Sequence, residues 1–315
     1  IIILIVLFLT SNTNEFKKKK KNEKTLEEEE KDNLMDYYFS NYLNLNRLPN
    51  KKIFIHIPYE KNERKWINFG SRSSKELNND LMVSSIRSII RTCKDKYSII
   101  LYDNTSIKEL INESDDEDLC NIRNPEMLSG VDLKQWESYC KAKIIYKYGG
   151  IIISPYFIFK ECPNESILFP ELFTIIHLTN EGLNSSNKEL IPSSCYFMSA
   201  PREDNDVKIY IKYLEYLCTK HYTVDHKKFD KSFESLYALN SYDPKLIGCM
   251  DKNDKIIYTN DIMSNKNIDL YYNHFCLFMN IDIIKKNRNF NWILELDEDE
   301  IKESNTFIGK YINNL

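Results

Sequence analysis

Glycine is scarce in this chain, seven residues in 315, and only Gly149 and Gly150 are adjacent. No Gly-rich loop able to cradle phosphates is present, and neither a Ser-His-Asp order nor a helicase-like motif occurs. A basic surplus is missing too. Lys and Arg number 43 against 47 Asp and Glu, for a net charge of -4. Such a chain has no domain-wide positive field with which to displace counterions, which argues against a protein built to coat nucleic acid. Its eight cysteines (93, 120, 140, 162, 195, 218, 249 and 276) stand singly, with no Cys-x-x-Cys pair. Scattered cysteines read as small buried apolar residues in a reducing compartment; an even count permits disulfides without implying them. The apolar run at residues 1–9 is too short to cross a bilayer, which takes about 20 residues.

What is present is enough to fold. The composition is 42% hydrophobic and 13% aromatic, sufficient for one good-sized core. Heavy use of Asn, Lys, Ile and Tyr reflects an AT-rich genome rather than a function. Glycosylation sequons begin at Asn104, Asn112, Asn164 and Asn184, as chance supplies in so Asn-rich a chain.

Residues 1–10 read as the end of a longer transmembrane or signal-anchor helix, in preference to a buried strand, because a polar tract comes at once after them. The opposed charge blocks Lys17 to Lys21 and Glu27 to Glu30 make residues 11–50 a solvated stalk. By the positive-inside rule the Lys cluster favours a cytosolic position for the domain beyond the stalk. That folded domain is expected over residues 51–315.

Within it, 53–57 is a buried strand closed by Pro58, and Asp80 opens an apolar-striped helix. A strand at 97–102 ends at Asp103, and 107–111 is helical. Asp132 is expected to cap a long helix running to Tyr148, with Gly149 as its stop. Strands are expected at 151–153, 173–178 and 195–199, and a helix at 207–217. The tail is expected to hold short strands near 256–258 and 274–279, then helices near 281–286 and 300–312. Strands alternating with helices predict an α/β fold with a mostly parallel central sheet flanked by helices.

The segment 136–159, WESYCKAKIIYKYGGIIISPYFIF, carries the strongest resemblance. It is similar to the glycosyltransferases that carry a DxD sugar-binding region. There a Ser-Asp-x-x-Arg helix ends in Leu-Tyr-x-Tyr-Gly-Gly and leads to Ile-Tyr-Leu-Asp-x-Asp. Aligned on Gly149 and Gly150, Ser138 stands at the family's first Asp, Lys141 at its Arg, and Ser154-Pro155-Tyr156 at its Asp-x-Asp. Three further segments match in order: KKIFIHIP from Lys51, KYSIILYDNTSIKELI from Lys96, and SSCYFMSAPREDNDVKIYIKYL from Ser193. Together they cover about 50 to 215. The segment 64–74, the Ser-Pro-Tyr-Phe continuation and the tail NFNWILELDEDEIKESNTFIGKYI also resemble a group of large-DNA-virus proteins labelled capsular-polysaccharide-synthesis-like, in which a Pro-containing strand replaces the Asp-x-Asp. The resemblance implies a glycosyltransferase-A-like fold behind the anchor and stalk. The activity it implies is sugar transfer from a nucleotide-sugar to a glycan or protein acceptor.

The departures bear on chemistry. Ser154 and Tyr156 offer neutral hydroxyls and Pro155 no ligand, where a divalent cation needs charged oxygens, so no metal is expected. Lys141 keeps a positive charge without the planar fork of Arg; it is either a point charge for a phosphate or a surface residue of its helix. In the loop after the first strand, Arg64, Trp66 and Arg72 are candidates to hold a nucleotide without metal, with Pro58 at its start; the alternative is a loop pinned to the core by its aromatics. Asp103 either reaches a ribose at the ligand-facing edge of an α/β sheet or caps the next helix.

Other groupings are weaker. Cys218, His221 and His226 have zinc-like spacing but no fourth ligand. His56 and His274 read as core histidines. Asp115 to Asp118 and Asp297 to Glu300 read as solvated acids, the latter at a helix start.

The sequence thus supports a divergent glycosyltransferase-fold protein, single-pass and membrane-anchored, with metal-dependent activity lost. It has no cofactor beyond a candidate nucleotide-sugar, and its candidate partners are a glycan and virion proteins. The alternative is a non-enzymatic structural or interaction protein, such as a virion component, that uses the same fold as a scaffold.

Overall fold

The computed structural model describes residues 37–38, 45, 48, 51–57, 80–104, 106–111, 130–175, 177–179, 190–192, 196–220 and 240–315. The chain begins its central sheet with β1 (Lys52–His56), crosses through α1 (Asp80–Cys93) and returns as β2 (Ser98–Tyr102). It crosses again through α2 (Ile107–Ile111) and α3 (Gly130–Tyr148) to β3 (Gly150–Ile153). The sheet continues with β5 (Thr174–Ile175), β8 (Phe197–Ala200) and β9 (Asn240–Ser241), and its order is β2-β1-β3-β8-β5-β9.

β1 is parallel to β2 and β3, β8 is antiparallel to β3 and β5, and β5 is parallel to β9. Five of the six strands therefore point one way and β8 alone is reversed. The fold is α/β with a mostly parallel central sheet flanked by helices.

Strand alternation divides the core between the two faces. Ile53, Ile55, Ile99, Leu101, Ile151 and Ile153 pack on the α1 side, while Phe54, Ile100, Tyr102 and Ile152 face α3 and α5 (Asn205–Lys220). Burial on both faces is why these strands are nearly uninterrupted apolar runs.

Gly149 and Gly150 are required by close approaches as well as by conformation. Both have positive φ, +63° and +106°. A Cβ on Gly149 would lie 2.7 Å from the Arg202 backbone nitrogen, and one on Gly150 would lie 2.5 Å from the Lys52 carbonyl oxygen. The pair lets α3 end against the turn before α5 while β3 lies flush on β1.

A second layer is not legible in the sequence. β4 (Phe157–Phe159) comes after β3 and a short turn, and pairs antiparallel with β10 (Cys276–Phe278) in the C-terminal part of the chain. Two serines on the buried face of α1 bind it: Ser85 Oγ donates to the Phe157 carbonyl (2.6 Å), and the Phe159 amide donates to Ser88 Oγ (2.8 Å). A further hairpin, β6 (His177–Thr179) with β7 (Leu190–Pro192), stands apart.

The short helices α4 (Glu165–Leu168) and α6 (Thr259–Ile262) lie in the connections, and α7 (Ile281–Lys286) occupies its expected place. The other expected tail helix is two, α8 (Glu298–Glu303) and α9 (Phe307–Asn313). Each has its own N-cap: Asp297 accepts from the Glu300 amide and Thr306 from the Gly309 amide. The expected strand near 256–258 is reduced to one bridge between Met250 and Ile256, and α3 starts at Gly130, two positions before Asp132. Among the described residues no helix is long and apolar enough to cross a membrane. The apolar run 1–9 and the charged stretch at 11–36 lie outside them.

Candidate functional site

In an open α/β sheet, ligands bind outside the carboxyl ends of the strands where the strand order reverses. Here the chain moves outward from β1 to β2 and then crosses to β3 on the other side, so that point lies between β1 and β3. The last paired residues there are Ile55 and Ile153. One step further, the register sets His56 beside Ser154, while Tyr102 lies opposite His56 on β2.

His56 is 2% exposed. Its Nε2 lies 2.7 Å from Asn104 Oδ1, one residue beyond Asp103 at the end of β2, and its ring packs on Tyr102 at 5.2 Å. With a carbonyl oxygen as acceptor, Nε2 carries the proton and the ring is neutral. Burial, then the nearby Lys141 ammonium, pushes the imidazole down to about 3, against the opposing pulls of Asn104 and Asp103. The Tyr102 hydroxyl is buried with no hydrogen-bond partner among the described residues, and burial first, then Cys140 and Glu137, raises it well above the ordinary phenol range.

Lys141 and Ser138 come from α3. That helix is buried over most of its surface from Trp136 to Ile145, because it lies between the sheet and α5. The reading of Lys141 as a surface residue is corrected: it is 6% exposed. Ser138 is buried on the same helix, three residues earlier, so both face inward.

The segment Ser154 to Tyr156 is built into the protein interior. Ser154 is 6% and Tyr156 7% exposed, and Pro155 is buried in the turn between β3 and β4. The Ser154 amide donates to the Tyr196 carbonyl (2.7 Å), and the Met279 amide donates to the Tyr156 carbonyl (2.7 Å). The Tyr156 ring lies 5.2 Å from that of Tyr196, and Phe157 packs against Phe197 and Phe278. These residues do not fit a divalent cation: the side chains at 154 and 156 are neutral, and aromatic rings occupy the surroundings.

Of the two roles open to Asp103, capping is the one observed. Its Oδ1 accepts from the Ser106 amide and hydroxyl (both 2.8 Å), and its own amide donates to Ser106 Oγ (2.8 Å), closing a reciprocal box at the start of α2. The structure thus gathers His56, Asp103, Asn104 and Lys141 at one edge of the sheet, with Ser154 one register step away. Gly149 and Gly150 lie at the opposite end of β3 and serve the scaffold. Pro58, Arg64, Trp66, Arg72, the acids 115–118, His221 and His226 lie outside the described residues. Sequence reasoning missed Asn104, read only as a sequon residue. The signal was available, since Asn104 and His56 sit at the ends of adjacent parallel strands.

No family model matches the chain, and no curated protein matches it. Among solved structures, it is similar to one described as a transferase mutant with two cysteine-to-serine changes. Identity is 9%, the match covers 61% of this chain and 88% of that one, and the TM-score is 0.33.

Proposed function

We propose that this chain is a divergent glycosyltransferase-A-like protein in which metal-dependent sugar transfer has been lost. The observation that carries the reading is the state of Ser154, Pro155 and Tyr156. They occupy the carboxyl edge at the switch point, where the resembling enzymes hold their metal ligands. Here the two flanking side chains carry no charge and the segment is buried under Tyr196 and Met279. A transferase of this kind must neutralise a leaving diphosphate. With no carboxylate at 154 or 156, and Asp103 engaged with Ser106, that task falls to cations of the protein. Lys141 and the loop residues Arg64 and Arg72 are the candidates, with Trp66 as a platform for a base.

A second reading, a non-enzymatic scaffold, is favoured by a different observation. The polar groups at the edge are already engaged with one another, His56 with Asn104 and Asp103 with Ser106. In either reading residues 1–10 are a membrane anchor and the charged segment after them is a stalk. The stalk ends before Tyr38 and does not reach residue 50, since Tyr38 and Leu45 are buried in the domain's core.

A thermal-shift panel of nucleotide sugars, run with Mn²⁺ and with a chelator, separates these readings. A shift that persists in the chelator supports metal-independent binding of the donor. No shift at millimolar ligand supports the scaffold, and a shift that requires Mn²⁺ overturns both.

A further inference from the structure

Of the four Asn-x-Ser/Thr triplets in the sequence, the described residues include the asparagine and serine of two, and these differ in how their side chains are used. In the first, Asn104 is half-buried with its Oδ1 2.7 Å from His56 Nε2, and the buried Ser106 hydroxyl donates to the Asp103 carboxylate (2.8 Å). In the second, Asn164, Glu165 and Ser166 are all exposed. Asn164 stands at the N-cap of α4 in extended backbone (φ -60°, ψ 149°), where an asparagine side chain ordinarily accepts from an amide of the first turn. Here the side chain makes no cap bond, and only the Asn164 carbonyl accepts, from the Ile167 (3.0 Å) and Leu168 (3.2 Å) amides. Among the described residues neither the Asn164 carboxamide nor the Ser166 hydroxyl has a hydrogen-bond partner. The turn that presents them is held at both ends. Pro163 is buried before it, and Leu168 and Phe169 enter the core on the α1 side. Between them the Lys51 ammonium pairs with the Glu165 carboxylate (2.8 Å).

We infer that Asn164 is an N-glycan acceptor, and that the folded domain therefore lies on the lumenal side of the membrane its anchor enters. Asn164 supplies the carboxamide and Ser166 the hydroxyl that the acceptor signal requires. The donor is an oligosaccharide carried on a lipid diphosphate, and the transferring enzyme belongs to the secretory membrane. In the transfer, Asn164 Nδ2 attacks the anomeric carbon of the oligosaccharide. The N–C bond forms, the C–O bond to the diphosphate breaks, Nδ2 gives up one proton, and the lipid diphosphate leaves. A glycan is bulky and needs a surface position, which the exposed turn at Asn164 offers. At Asn104 the same bulk would press on the sheet edge beside His56, which is 2% exposed. This side of the membrane is the opposite of the one favoured by the Lys17 to Lys21 cluster. The free cysteines do not oppose it. Cys93, Cys140, Cys249 and Cys276 are buried, and buried thiols stay inert in an oxidising lumen as well as in a reducing compartment.

The test uses the full chain isolated from the cells that make it, digested to peptides and treated with a peptide N-glycosidase in heavy-oxygen water. Mass spectrometry is expected to recover residue 164 as aspartate carrying the heavy oxygen, and residue 104 as unmodified asparagine. Asn164→Gln should remove one glycan from the intact protein. Ser166→Ala should remove the same glycan with the asparagine still in place, which ties the modification to the triplet. Both substitutions are at exposed positions, so the variants should fold and melt with the unglycosylated wild type. In sealed membrane vesicles the domain should resist protease added from the cytosolic side. Recovery of residue 164 only as unmodified asparagine overturns the proposal. So does a glycan at Asn104 in place of Asn164, or digestion of the domain in sealed vesicles.

Discussion

His56 Nε2 donates to Asn104 Oδ1 across 2.7 Å, tying the carboxyl end of β1 to that of β2 at the switch point of the sheet. The bond holds a neutral imidazole in an apolar setting beside Tyr102, with a lysine ammonium near enough to oppose its protonation.

That arrangement makes stability depend on pH. The folded-state value of His56 is about 3 and the unfolded one 6.5, so between them the unfolded chain binds the extra proton. The stabilisation is full above pH 6.5 and is lost as pH falls towards 3, an effect of up to about 5 kcal/mol. His274, also lowered by burial first, contributes in the same direction. Urea unfolding at pH 7, 5.5 and 4 should show this loss, and His56→Gln should show a shallower one.

Gly150→Ala should be among the most damaging small substitutions in the chain. The new methyl group would meet the Lys52 carbonyl at 2.5 Å, and φ of +106° is unfavourable for any L side chain. A loss of about 3 kcal/mol or more is expected in chemical denaturation. Ile152→Val on the same strand, which trims one methyl group from the core, should cost only about 1 kcal/mol.

Introducing acids at 154 and 156 should not create a metal site. Ser154→Asp with Tyr156→Asp would place two carboxylates where the present side chains are 6% and 7% exposed and remove the ring stacked on Tyr196. Burying unpaired charge is expected to cost several kcal/mol, on the order of 3–5. The double variant should melt well below the wild type, and Mn²⁺ should not recover the loss.

Much of the central sheet was legible because its strands are apolar on both faces and its crossover helix α1 carries a regular stripe. The Gly-Gly turn was legible because no other residue type meets its backbone demands. β4 was not, since the strand was expected to stop at Ile153 before Ser154 and Pro155, Phe157 to Phe159 are only three residues, and their partner β10 lies far down the chain. β5 falls inside the strand expected at 173–178, whereas β9, two residues long, is too short to leave a pattern. The split between α8 and α9 is visible in hindsight in Thr306, a capping residue inside what read as one helix. At the site, the absence of acidic side chains from 154 to 156 was plain, whereas the engagement of His56 with Asn104 and the burial of Lys141 depend on strand register and helix docking.

The central claim, that no divalent cation works at Ser154 to Tyr156, is tested most directly by calorimetric titration of uridine diphosphate into the protein. The titration is run once in Mn²⁺ and once in a chelator. The account predicts the same affinity, or the same absence of heat, in both. A tenfold or greater gain in affinity with Mn²⁺, about 1.4 kcal/mol, would contradict it.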